Sequence, residues 1–347
     1  MKKNFLYSLL LIVIGLAVYY FIIRKGNSTL PINEKNFAVD DTAGIGKIFI
    51  ADMEKKSVTL ERNSNGVWTV NDKYEVRPDA ISLLLKTIRQ LSIKYPVATA
   101  ARNNVLKSMA TNNCKVEIYD LQNNLITAYY VGGGTNDFNG TYMKTVEGEN
   151  PYVVSVPGFH GVLTVRYITD IEQLRSRSIF NLPLNQLKEV SVYYTEQADS
   201  SYRIKVIGVD SFQLINYQSG KQVNPKLVSK DRLNLYLSLF RFINAEGYEN
   251  NNKKKDSILM QKAFCEINVV DIRGTIYKAT CYYKPVSRET LQQFSNTGAP
   301  MAHDVAHYYA TINNGNDFVL IQQFHFGRLF QTIGFFYMKT SERSNKN

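Results

Sequence analysis

The residues best suited to chemistry are histidines near the C-terminal end of the chain. His303 and His307 occur in the sequence HDVAH, four positions apart, which would bring two zinc ligands together on a helix. The following residues, HYYATI, alternate and predict a strand, on which four residues span about 13 Å. Asp304 also stands where a zinc-protease helix needs glutamate. His325 remains available as a third ligand, so a metal-dependent hydrolase using these histidines stays as an alternative.

The three cysteines, Cys114, Cys265 and Cys281, are an odd number, which excludes a fully paired set of disulfides. If a hairpin turns around Arg273, Cys265 and Cys281 face each other, because each lies eight residues from the turn. In an oxidising compartment they would be able to form a disulfide. The favoured interpretation is that they are buried free thiols, which pack as small apolar side chains.

Gly132, Gly133 and Gly134 follow an apolar strand and suggest a phosphate cradle. Such a cradle needs a helix directly after the glycines. The next residues, TNDFNGTYMK, predict a turn and another strand, so we interpret the glycines as a flexible hairpin connection. The sequence also lacks a Gly-x-Ser-x-Gly elbow, and we expect no catalytic residue, metal or cofactor.

Two further groups of polar residues have ordinary explanations. Asp170 and Glu172 lie beside Arg175 and Arg177, where surface ion pairs are expected. Adjacent tyrosines place one ring on each face of a predicted strand, so one face would be buried and the other would offer a glycan or peptide platform. Plain sheet packing is favoured over the platform. The pairs are Tyr129 and Tyr130, Tyr193 and Tyr194, Tyr282 and Tyr283, and Tyr308 and Tyr309.

A run of 19 uncharged residues, Phe5 to Ile23, lies near the N-terminus. As a helix it would be about 28 Å long, close to the roughly 30 Å of bilayer hydrocarbon. No small-residue cleavage site follows before Arg24, so we predict an uncleaved transmembrane anchor instead of a signal peptide. A short N-terminus with one anchor favours a chain whose residues 26–347 lie outside the cytoplasmic membrane.

The charge balance of the rest of the chain is mildly basic. Of 41 lysines and arginines, four flank the anchor, which leaves 37 basic against 30 acidic residues. This surplus would favour an anionic membrane surface. Nucleic-acid binding is not expected, because it requires clustered basic residues with stacking aromatics. The one dense run, Lys253 to Lys255, is explained by a solvated loop.

The order of hydrophobic patterns predicts an α+β fold with two similar halves. In the first half, strands surround the hairpin signal Asn65-Gly66, and a helix spans Pro78 to Ile93. In the second half, strands precede a helix that Ser229 would cap. One amphipathic helix in each unit must pack against a mainly antiparallel sheet.

Local similarity indicates an internal duplication. Residues 113–120 match residues 264–271 with an offset of 151, and Leu85 and Leu237 have nearly the same offset. Each unit would then follow the order β-β-β-α-β-β-β-β. The predicted domains are a transmembrane anchor, a tether, two α+β repeats and a polar tail, at residues 5–23, 24–45, 46–181, 182–338 and 339–347.

Three stretches resemble an uncharacterised family of bacterial membrane-anchored proteins, domain of unknown function 4340. They are WTVNDKYEVRPDAISLLLKTI, VGGGTNDFNGTYM and LRSRSIF. The resemblance covers most of residues 46–335, although Leu174 stands where relatives often have tryptophan. It implies one N-terminal anchor and a domain facing the periplasm. Some relatives occur beside auxiliary subunits of gliding-type ABC exporters, and the family has no established catalytic residues to carry over.

We therefore expect a single-pass inner-membrane protein with its C-terminal region in the periplasm and no enzymatic activity. Its expected role is binding or assembly with an envelope protein partner, in an export or gliding-type ABC transporter complex, and this last step rests on the resemblance. The alternatives are the metal-dependent hydrolase using His303, His307 and His325, and a glycan- or peptide-binding module.

Overall fold

Each half of this α+β protein contains one large antiparallel sheet together with a few helices. The structure is a computed structural model that describes residues 36–338. Two compact units are present, and the boundary falls between Arg175 and Ser176, a few residues ahead of the position that the sequence predicts.

The predicted anchor at 5–23 and the polar tail at 339–347 lie outside the described residues. Within residues 36–338, no helix combines the length and the apolar character needed to cross a bilayer. The described end of the predicted tether folds onto the first unit. Its Phe37 is buried, with ring centres 5.9 Å from Tyr129 and 6.1 Å from Tyr152.

The first unit contains a nine-stranded sheet with the order β4-β3-β2-β1-β6-β7-β8-β9-β5, antiparallel throughout. Its strands are β1 Ile45–Asp52, β2 Ser57–Arg62, β3 Trp68–Val70, β4 Tyr74–Glu75, β5 Ser92–Pro96, β6 Cys114–Asp120, β7 Leu125–Gly134, β8 Thr141–Thr145 and β9 Tyr152–Ser155. Its helices are α1 Pro78–Gln90, α2 Thr99–Thr111 and α3 Ile171–Leu174.

The second unit contains an eight-stranded sheet with the order β13-β12-β11-β16-β17-β18-β19-β15, and a separate pair of strands, β10 and β14. Its strands are β10 Ser178–Phe180, β11 Leu187–Tyr194, β12 Tyr202–Gly208, β13 Ser211–Asn216, β14 Ile243–Asn244, β15 Gly247–Tyr248, β16 Cys265–Asp271, β17 Ile276–Pro285, β18 His303–Ile312 and β19 Asp317–Gln322. Its helices are α4 Lys230–Ser238 and α5 Lys255–Leu259.

The two large sheets have corresponding strand orders. Adding ten to each strand number of the first sheet, without its edge strand β4, gives the order of the second. Corresponding turns also agree in detail. Asp120 ends β6 and accepts hydrogen bonds from the backbone of Gln122 and Asn124, and Asp271 ends β16 and accepts from Arg273 and Thr275. An aspartate oxygen that accepts from the backbone two residues ahead stabilises a tight turn.

The two predicted helices form where the apolar residues have helical spacing. Helix α1 begins at Pro78, whose missing N–H would be unpaired in the first turn, and it buries Ile81, Leu84 and Ile88. Helix α4 begins after Ser229, whose hydroxyl accepts from the backbone of Arg232. Both helices bury apolar side chains in the core of their own unit.

Helix α2 is the largest element that the sequence pattern does not predict. Its sequence, TAARNNVLKSMAT, has little amphipathic character, and only Val105 and Met109 are buried. The first unit therefore has two long helices instead of one. The helix packs against the sheet instead, because Gly132 on β7 lets the Met109 side chain approach closely, and a Cβ at that glycine would lie 2.8 Å from Met109 Cγ.

Candidate functional site

A wide cleft in the second unit brings together several charged side chains. It has a volume of about 900 Å³. We call it the charged cleft, and its floor is formed by Glu246, Lys284, Asp304 and His307.

The walls of the charged cleft come from two connections in the chain. One is the loop of residues 286–302 between β17 and β18, which closes where Pro285 pairs with His303. The corresponding connection in the first unit, residues 135–140 between β7 and β8, is much shorter. The other wall is the segment 249–254 between β15 and α5. The longer connection of the second unit therefore supplies one wall of the cleft.

Asp304 is a buried carboxylate held by several donors. Its side chain is 3% exposed, and Lys284 Nζ lies 2.7 Å from Oδ2. The backbone N–H groups of Ala306 and His307 donate to Oδ1 at 2.8 and 3.2 Å. Burial alone would raise the pKa of Asp304, but the hydrogen bonds from Lys284 and the backbone lower it below its ordinary value. The carboxylate is therefore ionised at neutral pH.

The His307 imidazole lies between two carboxylates. Its Nδ1 is 3.2 Å from Asp304 Oδ2, and its Nε2 is 3.3 Å from Glu246 Oε2. The Glu246 oxygen is shielded from solvent and makes no hydrogen bond of good geometry within the described residues. The two ring nitrogens therefore face one acidic side chain each.

The rim of the charged cleft carries charges of both signs with an excess of cations. The rim is lined by the side chains of Lys253, Lys254, Arg288, Glu249 and Glu289, and none of them has an ion-pair partner among residues 36–338. Leu291 adds an apolar side chain that is 97% exposed. The rim is thus free to pair with an external polar ligand.

Comparison with known proteins identifies the family. The family model described as "Domain of unknown function (DUF4340)" matches residues 68–262, which is more than half of the chain. The chain belongs to this family. No curated protein and no solved structure gives a significant match. The match confirms the resemblance seen in the sequence and assigns no functional residue.

The three histidines of the hydrolase hypothesis do not form a metal centre in the described part of this DUF4340 chain. Its residues 36–338 contain no group of three or more histidine, cysteine, aspartate or glutamate side chains that is able to hold a metal ion. His303 stacks on the Tyr283 ring at 4.5 Å, and His325 contacts the Phe324 ring edge-on. His303 and His307 both lie on strand β18, as alternation predicts, so their spacing separates them.

The cysteines of the DUF4340 chain are buried and present as thiols. Cys265 and Cys281 pair directly across β16 and β17, the register that their spacing around Arg273 predicts. Burial raises the pKa of both thiols far above the ordinary value, and burial also raises the pKa of Cys114. A thiol with a raised pKa is a poor nucleophile at neutral pH, because the thiolate is the reactive form.

The glycine run of the DUF4340 chain lies within a strand. Gly132, Gly133 and Gly134 end β7, and the connection begins only at Thr135. The prediction that these glycines form a flexible hairpin connection is therefore wrong. The next element is strand β8, which offers no helix N-terminus for a phosphate. Gly134 is required by packing, since a Cβ there would lie 2.6 Å from Val162 Cγ2.

The predicted surface ion pair at Arg175 is wrong for this DUF4340 chain, because the arginine is buried. Its side chain is 1% exposed. The guanidinium pairs with Glu172 at 2.8 Å and lies 4.5 Å from the centre of the Tyr74 ring. A buried guanidinium is stable only with such partners. Arg177 donates to the backbone carbonyl of Glu246 in the second unit.

Sequence reasoning missed the charged cleft because its residues come from distant segments. Glu246, Lys284 and Asp304 show no motif spacing. Lys253 and Lys254 belong to a basic run that the sequence predicts to be a solvated loop. The fold places both of them on the rim. The one available signal was Asp304 within HDVAH, three residues before His307.

Proposed function

We propose that this chain is a non-enzymatic binding or assembly protein whose charged cleft holds an acidic segment of a partner protein. The rim carries the argument. Lys253, Lys254 and Arg288 offer three cations against the two carboxylates of Glu249 and Glu289, and none of these five has an ion-pair partner among the described residues. An excess of unpaired cations around a concave surface favours an anionic ligand and speeds its association.

The floor of the charged cleft supports binding over catalysis. Asp304 accepts hydrogen bonds from Lys284 and from two backbone N–H groups, and His307 lies between two carboxylates. Groups engaged in this way hold the floor rigid, which lowers the entropic cost of binding. A general base needs one imidazole nitrogen free for the substrate, and both nitrogens of His307 already face a carboxylate oxygen.

We also propose that the protein is anchored in the inner membrane by residues 5–23, with the two units in the periplasm. The uncharged apolar run supports an anchor, and the absence of a small-residue cleavage site supports its retention. The proposal that this protein is accessory to an envelope export or gliding-type ABC transporter complex rests on the family resemblance alone.

The two units are, in this proposal, tandem copies of one sheet-and-helix module that follow the anchor. The corresponding strand orders support the duplication, and so do the equivalent turns at Asp120 and Asp271. The copies then differ in helix α2, which only the first unit has, and in the loop of residues 286–302, which only the second unit has at that length. Binding would be a property of the second copy.

A photo-crosslinking residue at position 291 tests the binding proposal in native membranes. Leu291 lines the charged cleft and is 97% exposed, and Val209 is a matched control because it is 96% exposed on the turn between β12 and β13. We expect a reproducible protein adduct from position 291 and a different pattern, or none, from position 209.

Charge reversal on the rim makes this test specific. Arg288→Glu should abolish the adduct from position 291, because it turns attraction for an acidic segment into repulsion. Arg241→Glu, at an exposed arginine beside Phe242, should leave it unchanged. An adduct that survives Arg288→Glu, or the absence of any adduct, would contradict the proposal.

Protease treatment tests the proposed location. Protease added to intact spheroplasts should digest the two units, whereas a chain facing the cytoplasm would be protected. Mass spectrometry of the membrane fraction should recover the residues of the anchor. Recovery of mature protein without its first 25 residues would contradict anchoring by the segment 5–23.

A further inference from the structure

A second, smaller cleft in the second unit has a different chemical character. It has a volume of about 300 Å³ and is lined by residues from β11, β17 and β18 and from the segment after β19. We call it the aromatic cleft, because five rings form its wall: Tyr194, Phe264, Tyr283, Tyr308 and Phe330.

These rings support one another. Phe264 stacks on Tyr283 with centres 4.4 Å apart, and Phe330 meets Phe264 and Tyr308 edge-on at 5.1 and 5.5 Å. Tyr194, Phe264, Tyr308 and Phe330 are half-buried against the main core of the unit. The wall is therefore fixed before any ligand arrives, so binding does not have to order it.

Polar side chains surround the aromatic wall without partners of their own. Glu196, Gln197, Gln323 and Thr332 are exposed at the rim, and none of their side chains makes a hydrogen bond or an ion pair within residues 36–338. The Tyr283 hydroxyl is also unpaired there. Burial and the neighbouring Glu196 carboxylate raise its pKa, so the phenol keeps its proton and remains a donor.

The absence of a side chain at Gly327 leaves room for the Gln323 amide. A Cβ at position 327 would lie 2.4 Å from Gln323 Oε1, so the amide occupies space that any other residue would fill. This glycine does not have a positive φ, and its backbone conformation is open to other residues. A side chain at position 327 would therefore push the end of the flexible Gln323 side chain away from its present place at the cleft.

We infer that the aromatic cleft binds a saccharide. A sugar ring presents apolar C–H groups that pack on aromatic side chains, and hydroxyls that both donate and accept hydrogen bonds. Amides, hydroxyls and one carboxylate around a wall of rings match that pattern. A cage for a quaternary ammonium would use the rings and Glu196 and would leave both glutamine amides without a role.

The site is separate from the charged cleft, so the inference stands independently of the proposed partner. Only some of the paired tyrosines of the sequence line the aromatic cleft. Tyr194, Tyr283 and Tyr308 line the aromatic cleft, whereas Tyr309 packs with Phe318 in a small separate cluster. Tyr194 and Tyr308 contribute their rings to the cleft, whereas Tyr283, whose ring stacks with both Phe264 and His303, contributes its hydroxyl.

Calorimetric titration of the full chain tests this inference, in a detergent without a sugar headgroup. The probes are neutral tetrasaccharides of N-acetylglucosamine, of β-1,4-linked glucose and of mannose, with tetramethylammonium chloride as the cation probe. We expect saturable binding of at least one tetrasaccharide. Gln323→Ala should weaken it about threefold to tenfold, the loss of one hydrogen bond, and Gly327→Ala should weaken it by displacing the same amide.

Gln292→Ala is the matched control, since Gln292 is an exposed glutamine that lines the charged cleft. It should bind the tetrasaccharide like the unmodified chain. Tyr308→Leu keeps an apolar side chain and should weaken binding about tenfold. If it lowers the melting temperature, the exposed substitutions Gln323→Ala and Glu196→Gln still decide the question. Three results would overturn the inference: no tetrasaccharide binds, tetramethylammonium alone binds, or the cleft variants bind as tightly as Gln292→Ala.

Discussion

The buried charges at Asp304 and Arg175 depend on the partners that surround them. Asp304 is ionised in the floor of the charged cleft because Lys284 and the backbone donate to it. Arg175 is buried in the first unit beside Glu172 and the Tyr74 ring. Removing one partner from such a pair leaves an uncompensated charge away from water, which costs more than the pair itself contributes.

Lys284→Met tests the cost of removing a partner from the buried Asp304 carboxylate. The substitution keeps an unbranched side chain and removes the charge, so the free energy of unfolding at neutral pH should fall by about 3 kcal/mol. Chemical denaturation measures the change. Lys56→Met is the control, since Lys56 and Glu54 form an ion pair in which both side chains are mostly exposed. It should leave stability within experimental error.

The same variant has a defined pH dependence. The pKa of Asp304 is lowered in the folded chain, so its contribution is present above the ordinary value of 3.8 and is lost as the pH falls through the lowered pKa. Without Lys284, burial raises the pKa of Asp304, and protonation then relieves the cost. The stability gap between the two proteins should therefore narrow as the pH falls towards 4. A gap that is constant between pH 7 and that point would contradict the assigned role of Lys284.

At the scale of elements, close packing against strand β7 explains why glycines end it. Met109 of α2 approaches Gly132, and Val162 approaches Gly134, whereas nothing lies within 4 Å of a Cβ at Gly133. None of these glycines has a positive φ, so packing and not backbone conformation sets the requirement. The run that resembles a phosphate loop in the sequence therefore serves the fold.

Gly134→Ala and Gly133→Ala separate these explanations. A methyl group at position 134 would lie 2.6 Å from Val162 Cγ2, and valine is too stiff to move aside, so stability should fall by about 1–3 kcal/mol. At position 133 the change should stay within about 0.5 kcal/mol. Thermal unfolding of the two variants makes the comparison, and equal losses would contradict the packing account.

At the scale of the whole molecule, each unit has its own hydrophobic core. One core includes Phe37, Ile88 and Tyr167 and lies entirely within the first unit. The other includes Phe180, Tyr236 and Phe336 and lies entirely within the second. A region with its own core and a closed set of strand pairings meets the physical requirements of a domain.

Residues 36–175 and 176–338, expressed separately, should each fold. We expect a β-rich circular dichroism spectrum and a cooperative thermal transition from each, because burial in either core does not draw on the other. Ile88→Ala, at a fully buried position of α1, should lower the stability of the first fragment by about 2–5 kcal/mol. A fragment that remains unfolded while the full chain folds would show that the cores are not independent.

Local patterns in the sequence were enough to predict most strands and the two amphipathic helices. Alternation predicts β18, helical spacing with Pro78 predicts α1, and symmetric spacing about Arg273 predicts the register of Cys265 and Cys281. These features succeed because their causes lie within a few residues along the chain. The family resemblance also rests on contiguous motifs and is confirmed.

Tertiary structure alone decided which polar residues meet and which charges are buried. Helix α2 has few apolar residues and is held by contacts such as that of Met109 with Gly132, which lies more than twenty residues away. Arg175 looks like a surface residue until its partner Tyr74 is placed beside it. Glu246, Lys284 and Asp304 join in one floor because strands β17 and β18 and the connection before β15 converge there. Such contacts depend on the path of the chain in space, which no local period in the sequence records.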